Sequence, residues 1–213
     1  CSKIKKKMQF FVNALNTSVQ HKIAKEVSRI AQIAPFFTPF IPKWNKPFKI
    51  QITNAGEWGW KSDKYGYGYI KKHPLTGKEW PTIPSIFLQI WKEFTDVSVL
   101  PNCCLINLYK DVKSSLGLHQ DKDENDFSFP VLTISLGNKA TFNYGKTKKL
   151  CDLKKILLLS GSIVILHKKS RLYYHSISKI SETKDSILYF SPYFRIPPKS
   201  RVSITLRRFA PSK

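Results

Sequence analysis

Leu118-His119-Gln120-Asp121-Lys122-Asp123-Glu124 holds a His-x-Asp step, and His175, closing Leu172-Tyr173-Tyr174-His175, follows far along the chain. Two imidazoles and one carboxylate are the ligand set that grips Fe(II) on one face and leaves three positions open for a co-substrate and oxygen. Residues i and i+2 of a strand share a face, so His119 and Asp121 can present two ligands together. If they leave the end of one strand and His175 sits on another, two sheets would bring all three to one ion from opposite walls. In a chain with 5 His and 14 Asp plus Glu, a His-x-acid step arises easily by chance. The surrounding sequence therefore has to decide.

That surrounding sequence is rich in short β-type runs. Residues 104–109, 131–136, 140–144, 162–166, 173–177, 187–190 and 202–207 are separated by polar or glycine-containing turns, the spacing of a sandwich or jelly roll. The first half reads differently. Thr17-Ser18-Val19-Gln20 has the form of a capping box, and Val19, Ile23, Val27 and Ile30 recur at helical spacing until Pro35. A second helix is expected from about Pro84, with Ile86, Phe87, Ile90, Trp91 and Phe94 on one face. Between them, Phe36 to Trp80 is full of aromatics, prolines and glycines and reads as loops and short hairpins, where function often sits. The expected class is α+β in one domain over 1–213: helices and a substrate lid to about 100, then a jelly-roll core over about 101–213.

Composition sets limits on partners. The 213 residues carry 36 Lys plus Arg against 14 Asp plus Glu, a net charge of +22, with 13% aromatics. Such an excess of cations attracts a polyanion, and flat rings beside it favour nucleic-acid bases over a lipid surface. Cys1, Cys103, Cys104 and Cys151 form no metal-type CxxC pair and no disulfide framework, which points to a reduced, cytoplasmic setting. The longest apolar run, residues 156–166, is interrupted by Ser160, Gly161 and Ser162 and is far shorter than the roughly 20 residues of a membrane helix. The basic start, Cys1 to Lys7, has no long apolar segment after it, which speaks against a signal peptide.

Taken together, Leu105-Ile106-Asn107-Leu108-Tyr109, the HQDKDE run, Ser135-Leu136-Gly137, Ser170-Arg171-Leu172-Tyr173-Tyr174-His175 and Arg201-Val202-Ser203-Ile204-Thr205-Leu206-Arg207 resemble the AlkB-type Fe(II)- and 2-oxoglutarate-dependent dioxygenases, over roughly residues 55–209. The resemblance is to the bacterial repair enzyme more than to its distant relatives, and it implies a double-stranded β-helix core. It implies that His119, Asp121 and His175 hold iron. Arg201 would pair with the far carboxylate of 2-oxoglutarate, since a guanidinium fork matches a carboxylate bidentately. Asn107 and Tyr109 would donate to the same co-substrate. Arg207 would reach its 1-carboxylate or Asp121. Where the family has an Asn two residues after the first arginine, this chain has Ser203, whose hydroxyl can donate over a shorter reach.

On the substrate side the resemblance makes Trp60 the ring that stacks on a methylated base, with Tyr67 and Tyr69 as further contacts from the Gly66-Tyr67-Gly68-Tyr69 run. Asp123 would accept from the exocyclic amine of the base. Lys149 stands where relatives have a base-proximal arginine, and Arg171 completes the expected substrate-binding set. The activity implied is repair: oxidative removal of N-methyl groups, of the 1-methyladenine and 3-methylcytosine type, from single-stranded DNA or RNA. Fe(II), 2-oxoglutarate and O2 would be consumed or held, and formaldehyde, succinate and CO2 released, by a monomer. Other readings of the residues are a 2-oxoglutarate oxygenase acting on a protein or small molecule, a basic nucleic-acid-binding module without catalysis, and a zinc hydrolase using the same three ligands.

Overall fold

In the computed structural model, which describes residues 8–211, the chain enters as a short strand, β1 (Gln9–Phe11), and turns into helix α1 (Thr17–Ile33). The basic start and Cys1 lie outside the described residues. Asn16 caps α1, its side chain accepting from the backbone N–H of Val19 at 3.0 Å. Thr17 is therefore inside the helix. The expected capping box fails because Gln20 turns inward, donating to the Leu15 carbonyl and accepting from Ser160. Asn16→Ala should cost about 1 kcal/mol of stability, the usual value of a cap, while Thr17→Ala should cost little. Urea denaturation of the two variants separates the assignments.

After α1 come two hairpins flanking a longer strand: β2 (Phe40–Ile41) with β3 (Lys46–Pro47), then β4 (Gln51–Gly56), then β5 (Gly59–Asp63) with β6 (Gly66–Ile70). Helix α2 spans Ser85–Phe94. The remaining strands are β7 (Cys103–Tyr109), β8 (Leu116–His119), β9 (Val131–Gly137), β10 (Lys139–Gly145), β11 (Lys154–Leu158), β12 (Ile163–Leu166), β13 (Tyr174–Ser181) and β14 (Arg201–Arg207). A six-stranded sheet runs β1-β12-β9-β14-β7-β4 and a four-stranded sheet β11-β10-β13-β8, with antiparallel ladders throughout.

Period-2 alternation explains how these layers stack. Ile106 and Leu108 of β7, Leu132 and Ile134 of β9, and Ile204 and Leu206 of β14 face one way and pack with Ile23, Val27 and Ile30 of α1 and Phe87 and Trp91 of α2. Their neighbours Leu105 and Tyr109 face the other way, against Ala140 and Phe142 of β10 and Ile177 and Ile180 of β13. Each such burial contributes roughly 1.5–3 kcal/mol. The helices thus cover the outer face of the large sheet, and its inner face meets the small sheet. On that inner face the alternation also places polar residues: Asn107, Ser135, Arg201, Ser203, Thr205 and Arg207 are all buried.

Three expectations need correction. Residues 187–190 do not form a strand; they belong to a turn-rich connection in which Leu188 is buried and Phe190 is 83% exposed, so the apolar run has no consistent inner face. The segment read as loops contains β4, a full edge strand paired to β7. Residues 154–158 and 116–119 are strands as well, too short and too polar to show alternation. Among the described residues no helix is long and apolar enough to cross a membrane, and Cys103, Cys104 and Cys151 are free thiols.

Candidate metal and anion site

His119 ends β8, and His175 lies directly across from it on β13, the two being register partners in the four-stranded sheet. This replaces the expectation of opposite walls: the imidazoles are cross-strand neighbours, with ring centroids 4.3 Å apart. Asp121 sits two residues past the end of β8, so a loop and not strand periodicity brings it in. Its oxygens lie 3.8 Å from His119 Nε2 and 3.7 Å from His175 Nε2, and the three ligand atoms fall within 4.8 Å of one another. One ion can touch all three.

The tautomers are set from behind. His119 Nδ1 donates to the Gly117 carbonyl at 2.8 Å and His175 Nδ1 to the Tyr173 carbonyl at 3.1 Å, which leaves both Nε2 lone pairs directed at the carboxylate side. Phe142 lies flat against the His175 ring at 5.6 Å. Burial, reinforced by the neighbouring His119, pushes the His175 pKa down to about 4, so the ring stays neutral and able to ligate. Burial alone would raise the Asp121 carboxyl, but Arg207 and the two imidazoles outweigh it and hold the group well below the usual carboxylate range. Two neutral nitrogens and an anionic oxygen suit a divalent ion of intermediate hardness.

Asp121 is braced by a buried ionic network. Arg207 reaches Asp121 Oδ1 at 3.3 Å and also donates to Glu124. Glu124 has no exposure at all, and it further accepts from Arg171 Nη2 at 2.9 Å and from the Tyr69 hydroxyl at 2.8 Å. Arg171 Nη1 donates to the Asp121 carbonyl and Nε to the Phe129 carbonyl. Arg171, expected to bind substrate, is therefore only 3% exposed, with its donors spent on protein acceptors. Tyr69, also expected at the substrate, is turned inward by Glu124, and its ring stacks on Phe209 at 4.2 Å. Glu124 went unrecognised in the sequence, where it resembles a solvated loop acid. The available signal was Arg207, closing an alternating apolar strand, which requires an anion once it is buried.

Arg201 is different. It is fully buried, one end of its guanidinium donating to the Asn138 carbonyl at 2.8 Å and the other to Ser135 Oγ at 2.7 Å. Its Nε has no hydrogen-bond partner, and neither does the Tyr109 hydroxyl, from the residue opposite it across the β14–β7 ladder. Among the described residues no carboxylate lies within ion-pair reach of Arg201. Burial lowers its pKa to about 10, which leaves it charged at neutral pH. A buried cation and a buried hydroxyl without partners are costly unless an anion occupies the space they face. Asn107 and Ser203, the next register pair on the same face, lie between Arg201 and Arg207 and share a 3.3 Å bond. Gly137 makes room for this end of β14: a Cβ there would stand 2.4 Å from the Ser200 carbonyl oxygen.

Trp60 is fixed at its backbone by both ends of the Asn54 amide, and Gly59 before it is needed because a Cβ would run into the Trp80 ring at 2.3 Å. Its indole N–H donates to Asp123 at 2.9 Å, and Tyr67 stacks on it at 5.9 Å with an interplanar angle of 21°. Trp60, Tyr67 and Asp123 thus form one group, which adjoins the metal trio in sequence through Asp123, two residues after Asp121. Lys149 is exposed, just past the end of β10, where Tyr144 pairs with His175.

Comparison with known proteins shows the family of the chain. Residues 7–207 match the model of the 2OG-Fe(II) oxygenase superfamily. The chain is similar to an alpha-ketoglutarate-dependent dioxygenase AlkB homolog of Caulobacter vibrioides, 36% identical over 91% of this chain and 84% of that protein. It is 33% identical to the Escherichia coli alpha-ketoglutarate-dependent dioxygenase AlkB, over 78% and 77% of the two chains. The solved structure of OsALKBH1 superposes with a TM-score of 0.78 at 27% identity, covering 97% of this chain and 99% of that one.

Proposed function

The chain belongs to the 2OG-Fe(II) oxygenase superfamily, among its AlkB-type dioxygenases, and from that premise we propose that it removes N-methyl groups from bases of single-stranded DNA or RNA. The enzyme is an Fe(II)- and 2-oxoglutarate-dependent dioxygenase. When bound, iron, O2 and 2-oxoglutarate would supply the oxidation, one oxygen atom of O2 ending in the methyl group, released as formaldehyde, and the other in the succinate left when 2-oxoglutarate loses CO2.

In this reading His119, Asp121 and His175 hold the metal. Arg201 takes the far carboxylate of 2-oxoglutarate, and Tyr109, Asn107 and Ser203 complete the co-substrate cradle. The observation that carries it is the asymmetry of the two arginines of β14. Both leave their Nε without a partner, but Arg207 is ion-paired to Asp121 and Glu124, whereas Arg201 is buried with no protein anion, so a dianion anchored at one end by a metal and at the other by Arg201 fits both. A zinc hydrolase would leave Arg201 without a reason.

Trp60 and Tyr67 would sandwich or flank the displaced base, and the Asp123 carboxylate, oriented by the Trp60 indole, would accept from its exocyclic amine. Bases such as 1-methyladenine and 3-methylcytosine are cationic and pair poorly, which lowers the cost of extruding them. Lys149 would hold a phosphate. We place the reaction in the cytoplasm, carried out by a monomeric single domain.

The test is succinate and formaldehyde release under iron, 2-oxoglutarate and ascorbate, with methylated and unmethylated DNA and RNA oligonucleotides. Equimolar products that require the methylated strand are expected. Turnover indifferent to the oligonucleotide would defeat the proposal. Trp60→Ala should weaken binding of a methylated oligonucleotide by about 1–3 kcal/mol, the value of one base–aromatic stack; unchanged affinity would remove Trp60 from the substrate path.

A further inference from the structure

The most exposed tryptophan of the described residues is Trp44, 61% exposed on the loop that joins β2 to β3. The loop is ordered by a bond from the Trp44 N–H to the Ile41 carbonyl and by Asn45 in the left-handed region at φ 46°. Lys43 lies over the Trp44 ring at 5.3 Å. At the tip of the neighbouring hairpin, Tyr65 is 81% exposed and Lys64 lies over it at 4.9 Å. The two hairpins are joined where Ser62 Oγ donates to the Phe40 carbonyl, and the second carries the Trp60–Tyr67 pair. Beside the first lies a cleft of about 480 Å³ bordered by Lys49, Lys110 and Lys113 and floored by Phe48 and Ile50.

Two acids stand among these lysines, and only one of them is ion-paired. Asp63 is paired with Lys61 at 2.6 Å, and Asp111 accepts from the backbone of Lys113 and Ser114. Asp111 borders the same cleft, where Lys49, Lys110 and Lys113 outnumber it three to one, beside exposed rings on hairpins joined to the Trp60–Tyr67 pair. A cationic face of this kind complements a phosphodiester backbone, and the rings accept bases of any sequence. Exposed aromatics under lysines have no packing role to explain them, since their rings bury little.

We propose that the β2–β3 hairpin and the adjoining cleft form a second nucleic-acid station: Trp44 stacks on a base flanking the methylated one, and Lys49, Lys110 and Lys113 hold intervening phosphates. The inference rests on the nucleic-acid reading above. It makes the chain a reader of strand length, because a short oligonucleotide fills only the first station.

Binding is measured by fluorescence anisotropy on protein loaded with Mn(II) and 2-oxoglutarate, so that nothing turns over. The probes are a trinucleotide with a central 1-methyladenine, and methylated and unmethylated 15-mers with the lesion near either end. Trp44→Ala should weaken the 15-mers about 5- to 150-fold, the equivalent of one stacked base, and leave the trinucleotide within about twofold. Trp44→Phe should retain most of the affinity. Replacing the three lysines by alanine should reduce the slope of log affinity against log salt by about two, at roughly 0.7 per phosphate on a single strand. The proposal is overturned if Trp44→Ala binds the 15-mers like the parent protein, if both lengths lose equally, or if sedimentation shows a Trp44-dependent dimer covering the hairpin. Failure of the parent protein to prefer methylated strands would overturn the demethylase reading instead, while the unmethylated 15-mer still decides the role of Trp44.

Discussion

His119→Ala is expected to abolish metal-dependent succinate release, because the ion then keeps one imidazole and one carboxylate. Losing a group that merely orients a ligand costs 10–100-fold in metal affinity; losing a ligand should exceed about 100-fold. The imidazole is half exposed at the end of β8, and its Nδ1 bond to Gly117 is local, so the fold should survive. Co(II) absorption titrations report the metal directly, and a melting curve reports the fold. A variant that binds Co(II) as the parent does would show that His119 is not a ligand and would remove the site from consideration.

Glu124→Ala should destabilise the protein by about 3–5 kcal/mol, the cost of removing one partner from a buried ion pair. Here two guanidiniums, of Arg171 and Arg207, would be left without their shared anion inside the protein. The loss should also reach the metal, since Arg207 spans Glu124 and Asp121 and Arg171 holds the Asp121 carbonyl. Urea denaturation measures the first effect. The second is read as a drop in Co(II) affinity under conditions where the variant is still folded. Glu124→Gln, which keeps an acceptor but removes the charge, should fall between the two. A cost below 1 kcal/mol for Glu124→Ala would mean that water or another acid replaces it, and the network would lose its bracing role.

The metal-binding trio was legible in the chain because its chemistry is carried by residue types that have few other uses. Two imidazoles and an acid, a fork-shaped cation on an apolar run, and an Asn-x-Tyr pair on one strand are rare together, and their order is specific. A sequence does not say which way a polar side chain turns, and Arg171 and Tyr69 show the consequence. Both were assigned outward to a substrate, and both are captured inward by Glu124, an acid whose neighbours Lys122 and Asp123 disguise it as part of a solvated loop. The short strands at 116–119 and 154–158 escaped for a related reason: they are half polar, and their pairing partners, not their own alternation, make them strands.

Local patterning by itself determined the two helices and most of the jelly-roll strands, because period-2 and period-3.6 burial are written in residue types, and the resemblance carried by several motifs in order singled out the metal-ligand trio. Only the tertiary structure decided that the two histidines are cross-strand partners in one sheet, that Arg207 is spoken for while Arg201 is not, and that a loop, not a strand, delivers Asp121. Those distinctions depend on which groups share a buried space. Burial changes the worth of a charge from negligible to several kcal/mol, and no single stretch of the chain records who its neighbours will be.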